Sequence, residues 1–108
     1  MAFAVRFTSG AQNDLREIHS YISMNDSREK ADYVAREIVR AALTLKDLPN
    51  RGVHPPELLA LGNRSYRQIF FKPYRILYRI HAKSVFIAVI ADGRREMDSL
   101  LARRLPGS

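Results

Sequence analysis

Apolar residues recur along this chain with two different periods, and the point where one period gives way to the other divides the sequence in two. "FAVRF" (3–7) alternates apolar and polar positions among strand-forming residues and predicts a short first strand. After "TSGAQ", Ala11, Leu15, Ile18 and Ile22 return at intervals of four, three and four, which puts them on one face of a helix. Ser9 with Gln12 forms a capping-box pattern at its start. "SMNDS" (23–27) interrupts the pattern, and Asp26 or Ser27 can cap a second helix. Its stripe of Ala31, Val34, Ala35, Ile38, Ala42 and Leu45 runs on until Leu48-Pro49 ends it. Two amphipathic helices joined by a short polar turn make an antiparallel hairpin, and their joint apolar face needs a sheet to cover it.

The segment 49–64, "PNRGVHPPELLALGNR", holds three of the five prolines and two of the five glycines and is expected to be an irregular loop. Its "ELLAL" (57–61) either exposes three leucines or tucks them beneath the loop as a satellite cluster. The period then drops to two. Strand-like runs follow at about 65–72, 74–81 and 85–91, separated by Lys72-Pro73 and by "AKS", both short enough for hairpins. The last run, "VFIAVIA", is apolar throughout, as expected of a central strand covered on both faces. "MDSLLARRL" (97–105) supplies a short helix with Met97, Leu100, Leu101 and Leu105 at helical spacing, ended by Pro106-Gly107. The predicted fold is α+β in the order β-α-α-β-β-β-α: an antiparallel sheet with a helix hairpin on one face and a short C-terminal helix.

With 108 residues and 46% hydrophobic content, the chain is expected to form one domain, 1–108, around a single two-layer core. There are no internal repeats and no low-complexity segment. Cysteine is absent, which excludes disulfides, thiolate zinc sites and a cysteine nucleophile. His19, His54 and His81 show no ligand spacing, so neither a metal nor a cofactor is expected. The apolar runs are strand length and the N-terminus lacks a signal-peptide layout, so the expected setting is cytoplasmic, with no membrane partner.

Charge changes the picture more than composition does. Residues 1–62 hold eight Lys/Arg and eight Asp/Glu, whereas residues 63–108 hold ten and three, so the whole net charge of +7 lies in the second half. Such asymmetry favours a polyanionic partner. In the run 74–81, Tyr74, Ile76, Tyr78 and Ile80 fall on one face, and Arg75, Leu77, Arg79 and His81 on the other. Adding Arg67 from the preceding run, and Arg94 and Arg95 beyond the last one, gives five arginines that could converge on one side of the sheet. The guanidinium fork suits phosphate or carboxylate and keeps its charge. The bland alternative makes these ordinary solvent-facing residues, with Arg95 and Glu96 paired locally. A simple nucleic-acid-binding module lacks its stacking platform, because Tyr74 and Tyr78 alternate onto the core face.

The element order, "YRILYRI" on a strand, "DGRREMDSLLARRL" after the last strand and "AQNDLREIHSYI" in the first helix together resemble the RelE/ParE toxin superfamily of bacterial type II toxin–antitoxin systems. The resemblance covers nearly the whole chain and is strongest over 65–105. It implies a toxin held inactive by a cognate acidic antitoxin. RelE-like members cut mRNA on the ribosome; ParE-like members inhibit DNA gyrase. On the RelE pattern, Arg75 matches the arginine after the strand tyrosine and Arg95 the arginine near the end of the last strand. Leu101 stands where the nuclease pattern has a tyrosine, and Arg67 and Ile69 stand where it has two lysines. His81 is of the side-chain type suited to acid–base work. The resemblance therefore implies a ParE-like inhibitor, and the clustering of Arg67, Arg75, Arg79, Arg94 and Arg95 makes these five the expected target-binding or nucleic-acid-binding residues. The alternative is an mRNA endonuclease using Arg75, Arg95 and His81.

Overall fold

The computed structural model describes residues 2–106. In chain order the elements are β1 (Ala4–Phe7), α1 (Ser9–Asn25), α2 (Arg28–Leu43), α3 (Pro56–Leu59), β2 (Arg67–Phe71), β3 (Tyr74–His81), β4 (Ser84–Asp92) and α4 (Met97–Arg104), with a single 3-10 turn at Thr44–Lys46 extending α2. Gly107, expected to help stop the last helix, lies outside the described residues. The sheet order is β1-β4-β3-β2. The three strands after the loop are antiparallel, as their short connections require, but β1 lies parallel to β4, with Val5 opposite Val85 and Phe7 opposite Ile87. The sheet is thus mixed rather than wholly antiparallel. The helix hairpin and the segment after it carry the chain from β1 to β2 at the opposite edge, and two strand turns then return it to β4 beside β1.

Helix α1 begins one residue earlier than its capping pattern suggests. Thr8 is the N-cap: its Oγ1 accepts from the Ala11 N–H and donates to the Ile87 carbonyl, while the Thr8 N–H donates to that same carbonyl. Tied to the sheet in this way, Thr8 is the last extended residue and Ser9 is already helical. Ser27 caps α2 by accepting from the Lys30 N–H.

Both faces of the sheet are covered. On one face Ala11, Ile22, Ala31, Val34, Ile38, Ala42 and Leu45 of the hairpin pack on Ile69, Ile76, Tyr78, Val85, Ile87 and Ile90, with Tyr74 and Ile80 partly buried beside them. The predicted core face of β3 is therefore correct in register. The opposite face carries a second cluster in which Met97, Leu100, Leu101 and Leu105 of α4, with Leu58 and Tyr66, cover Leu77, Val89 and Ala91. This explains why β4 is apolar at every central position. A bulge opposite Leu77/Tyr78 leaves Ala88 as an extra residue of β4 between Ile87 and Val89. The backbone beyond the end of β1 is satisfied by side chains: the Ile90 N–H donates to Asp14, and Arg104 donates to the Ala88 carbonyl. Asp14 also grips Arg104 through two hydrogen bonds of 2.8 and 3.0 Å, locking α4 to α1. Gly10 allows this, since a Cβ there would lie 2.6 Å from the Arg104 guanidinium.

The segment 49–64 is less irregular than expected. Pro55 and Pro56 start the one-turn helix α3, which sends Leu58 into the second cluster and leaves Leu59 and Leu61 exposed. The two alternatives for "ELLAL" are each met in part. Tyr78, fully buried, fixes the start of this segment by accepting from the Gly52 N–H at 3.0 Å and donating to the Pro49 carbonyl at 2.7 Å.

Candidate functional site

Of the five arginines expected to converge, Arg75 departs furthest from its predicted role. It sits on the predicted face of β3, away from the hairpin, but is only 9% exposed. Its Nη1 and Nη2 donate to Glu57 Oε2 and Oε1 at 2.8 and 2.7 Å, and its Nε donates to the Gln68 amide oxygen at 2.7 Å. Glu57 comes from the first turn of α3, which Leu58 anchors in the core. The Gly93 backbone closes the other side, close enough that a Cβ there would meet the Arg75 stem at 3.0 Å. The guanidinium therefore spends its fork on protein groups. Its hydrogen bonds hold the Glu57 carboxyl below the ordinary glutamate range, against an opposing contribution from burial.

Arg67 faces the other way. The turn at Lys72-Pro73 pairs Phe71 with Tyr74, so Arg67 stands opposite Tyr78 and shares the hairpin face with it. There its Nη1 donates to the Gly52 carbonyl at 2.8 Å and the Asn50 carbonyl at 3.3 Å. Arg79 is exposed on the face of Leu77, at the opposite end of β3 from Arg75, and His81 ends that strand at the turn to β4.

Arg94 forks onto Asp92, its Nε at 2.9 Å and Nη2 at 2.6 Å from the two carboxylate oxygens. These hydrogen bonds lower the Asp92 pKa and raise that of Arg94. Arg95 is exposed. Glu96 turns away from it and caps α4 by accepting from the Ser99 N–H, so the local Arg95–Glu96 pair does not form. Among the described residues neither Arg79 nor Arg95 has a carboxylate within ion-pairing distance. The expected single cationic face is thus dispersed: Arg75 turns inward, Arg94 and Arg95 lie beyond one end of the β3–β4 pair and Arg79 lies toward the other, while Arg67 starts from the hairpin face at the β2 edge and borders a cleft there with Arg79.

Leu101, at the position where the nuclease pattern has a tyrosine, is 1% exposed and belongs to the second cluster; Ile69, at a lysine position, is also core. Among the described residues no group of three His, Asp or Glu side chains is placed to hold a metal. Sequence reasoning missed Glu57, a lone acid in the proline-rich segment, and Arg64, the last residue of that segment. The one available signal for Arg64 was its place in "NRSYR", three residues before Arg67.

The hairpin-backed sheet, its parallel first strand and the apolar second face under α4 define a fold of the RelE/ParE superfamily. The family model described as ParE toxin of type II toxin-antitoxin system, parDE, matches residues 5–98, and the chain belongs to that family. Two solved structures share the fold. The chromosomal ParDE toxin–antitoxin system from P. aeruginosa matches with a TM-score of 0.71 at 22% identity, covering 84% of this chain and 96% of that one. The RelBE2 toxin–antitoxin complex from Mycobacterium tuberculosis matches with a TM-score of 0.63 at 23% identity, covering 85% and 92%. Among curated proteins no sequence matches.

Proposed function

We propose that this ParE-family toxin acts by binding and inhibiting a macromolecular target such as DNA gyrase, and not by cutting RNA. The observation that carries this is the bidentate grip of Glu57 on Arg75. Cleavage by 2′-hydroxyl attack needs proton transfer at two oxygens and a cation on the crowded phosphorus. Arg75, the cation the nuclease pattern would use, is neutralised and nearly sealed from solvent. The remaining nuclease candidates also stand apart. His81 closes β3 at the Ser84 end and Arg95 follows the Asp92 end, a separation of seven strand residues, or about 23 Å at ~3.3 Å per residue. One phosphate cannot touch both.

The toxin's partner is an acidic antitoxin, in keeping with the family and with the two-component assemblies of both structural neighbours. The charge of the second half favours fast, salt-sensitive association with it. A gyrase target places the protein in the cytoplasm, and none of the described helices is long and apolar enough to cross a membrane. The test is a gyrase supercoiling assay run beside a cell-free translation mix, with toxin freed of antitoxin. Supercoiling lost at near-stoichiometric toxin with mRNA intact is expected. Site-specific mRNA cuts at catalytic toxin levels, with supercoiling untouched, would overturn the proposal.

A further inference from the structure

Three concavities meet around Arg79, and no acidic residue lines any of them. One, between the start of β2 and the second half of β3, has Arg64, Ser65 and Arg67 with Arg79 on its walls. A second, under the end of α3, repeats Arg64, Ser65 and Arg79. The third is a hollow of about 500 Å³ with a mainly apolar lining that includes Tyr66, Phe86 and Leu105, and Arg79 stands on its wall.

The charges here are unspent. Among the described residues, Arg64 and Arg79 have no carboxylate within ion-pairing distance. Arg67 is held by two backbone carbonyls, which fix its fork and leave its charge uncompensated. Arg104 also reaches the hollow, but its charge is committed to Asp14. Three guanidiniums of one sign in a partly walled cleft focus the field on an anion. The mainly apolar hollow beside them, roomy enough to admit a flat ring, specifies more than charge.

We propose that this cleft binds single-stranded nucleic acid, with Arg64, Arg67 and Arg79 on consecutive phosphates and a base lodged against Phe86 in the hollow. A nucleic-acid strand offers a charge and a flat apolar ring at every unit, which is the alternation the cleft presents. An acidic peptide offers the charge without a ring at each unit. The site is separate from Arg75 and Arg95 and calls for no cleavage chemistry, and it goes beyond the proposed function because it does not depend on which target the toxin inhibits.

The experiment measures anisotropy of a labelled single-stranded DNA 12-mer with the full-length protein across a salt series. Arg79→Ala is expected to weaken binding about tenfold and to flatten the log–log salt slope by about 0.7 for each phosphate that is no longer neutralised. Phe86→Leu, which keeps an apolar side chain but removes the ring, should weaken binding severalfold with the salt slope unchanged. Arg28→Ala, the same loss of charge at the start of α2, should leave both values at wild type. Equal weakening by Arg28→Ala and Arg79→Ala would reduce the effect to net charge and overturn the site. Displacement of the oligonucleotide by polyglutamate at matched charge, with Phe86→Leu without effect, would make it an acidic-peptide site instead. No binding at low salt would also overturn the proposal. Each of these results leaves the supercoiling assay free to succeed or fail independently.

Discussion

Glu57 and Arg75 meet in a fork-to-fork pair at 2.7 and 2.8 Å that ties α3 to β3 over the second face of the sheet. Eighteen residues apart in sequence, they turn what reads as a cationic strand face into a structural joint.

Removing one partner should expose the cost of that joint. Glu57→Ala leaves a nearly buried guanidinium without its carboxylate and is expected to destabilise the protein by about 3 kcal/mol, measured by urea unfolding. Glu57→Gln with Arg75→Gln, which removes both charges together and keeps a donor for Gln68, should cost less than Glu57→Ala alone.

The same pair sets an acid sensitivity. The folded-state pKa of Glu57 lies below its unfolded value because Arg75 donates to the carboxylate. Its contribution is therefore present above the unfolded value, about pH 4.5, and is lost as pH falls through the folded value. Between about pH 6 and pH 3 the wild type should lose more stability than Glu57→Gln. Equal losses in the two proteins would show that Arg75 does not stabilise the ionised carboxylate.

The Tyr78 hydroxyl holds the start of the 49–64 segment against the sheet. Tyr78→Phe keeps the packed ring but leaves the Gly52 N–H and the Pro49 carbonyl without this partner, a loss of about 1–3 kcal/mol. Amide hydrogen exchange should speed up at Gly52 more than in the α1–α2 hairpin.

Leu101→Ala should cost about 2–5 kcal/mol, because the side chain is fully buried between α4 and the sheet. Target inhibition per folded molecule should be unchanged. Greater inhibition by the folded variant would show that Leu101 limits activity and does not merely pack.

The parts of the fold that were legible are those whose period is dictated by burying one face. The stripe from Ala31 to Leu45 and the alternation from Tyr74 to Ile80 both predicted the layer they join. Helix α3 was not legible, since the four residues from Pro56 to Leu59 are too few to hold a period. The parallel placement of β1 was hidden because its partner lies some eighty residues away. Arg67 was a different case: counting back from the two-residue turn at Lys72-Pro73 pairs it with Tyr78 and puts it on the hairpin face. The burial of Arg75 could not be read, because its partner sits in an irregular segment where spacing carries no information about which side chains meet. Charge asymmetry was real, but the surface it forms depends on which arginines the fold has already paired.

The central claim is that Arg75 serves the fold and not a reaction. Its most direct test is target inhibition by the purified Glu57→Gln, Arg75→Gln double variant, compared with wild type at equal concentrations of folded protein. The expected result is inhibition within a few-fold of wild type. A loss of about 10²-fold or more in a folded double variant, the size expected on removing a charge-stabilising catalytic group, would contradict it.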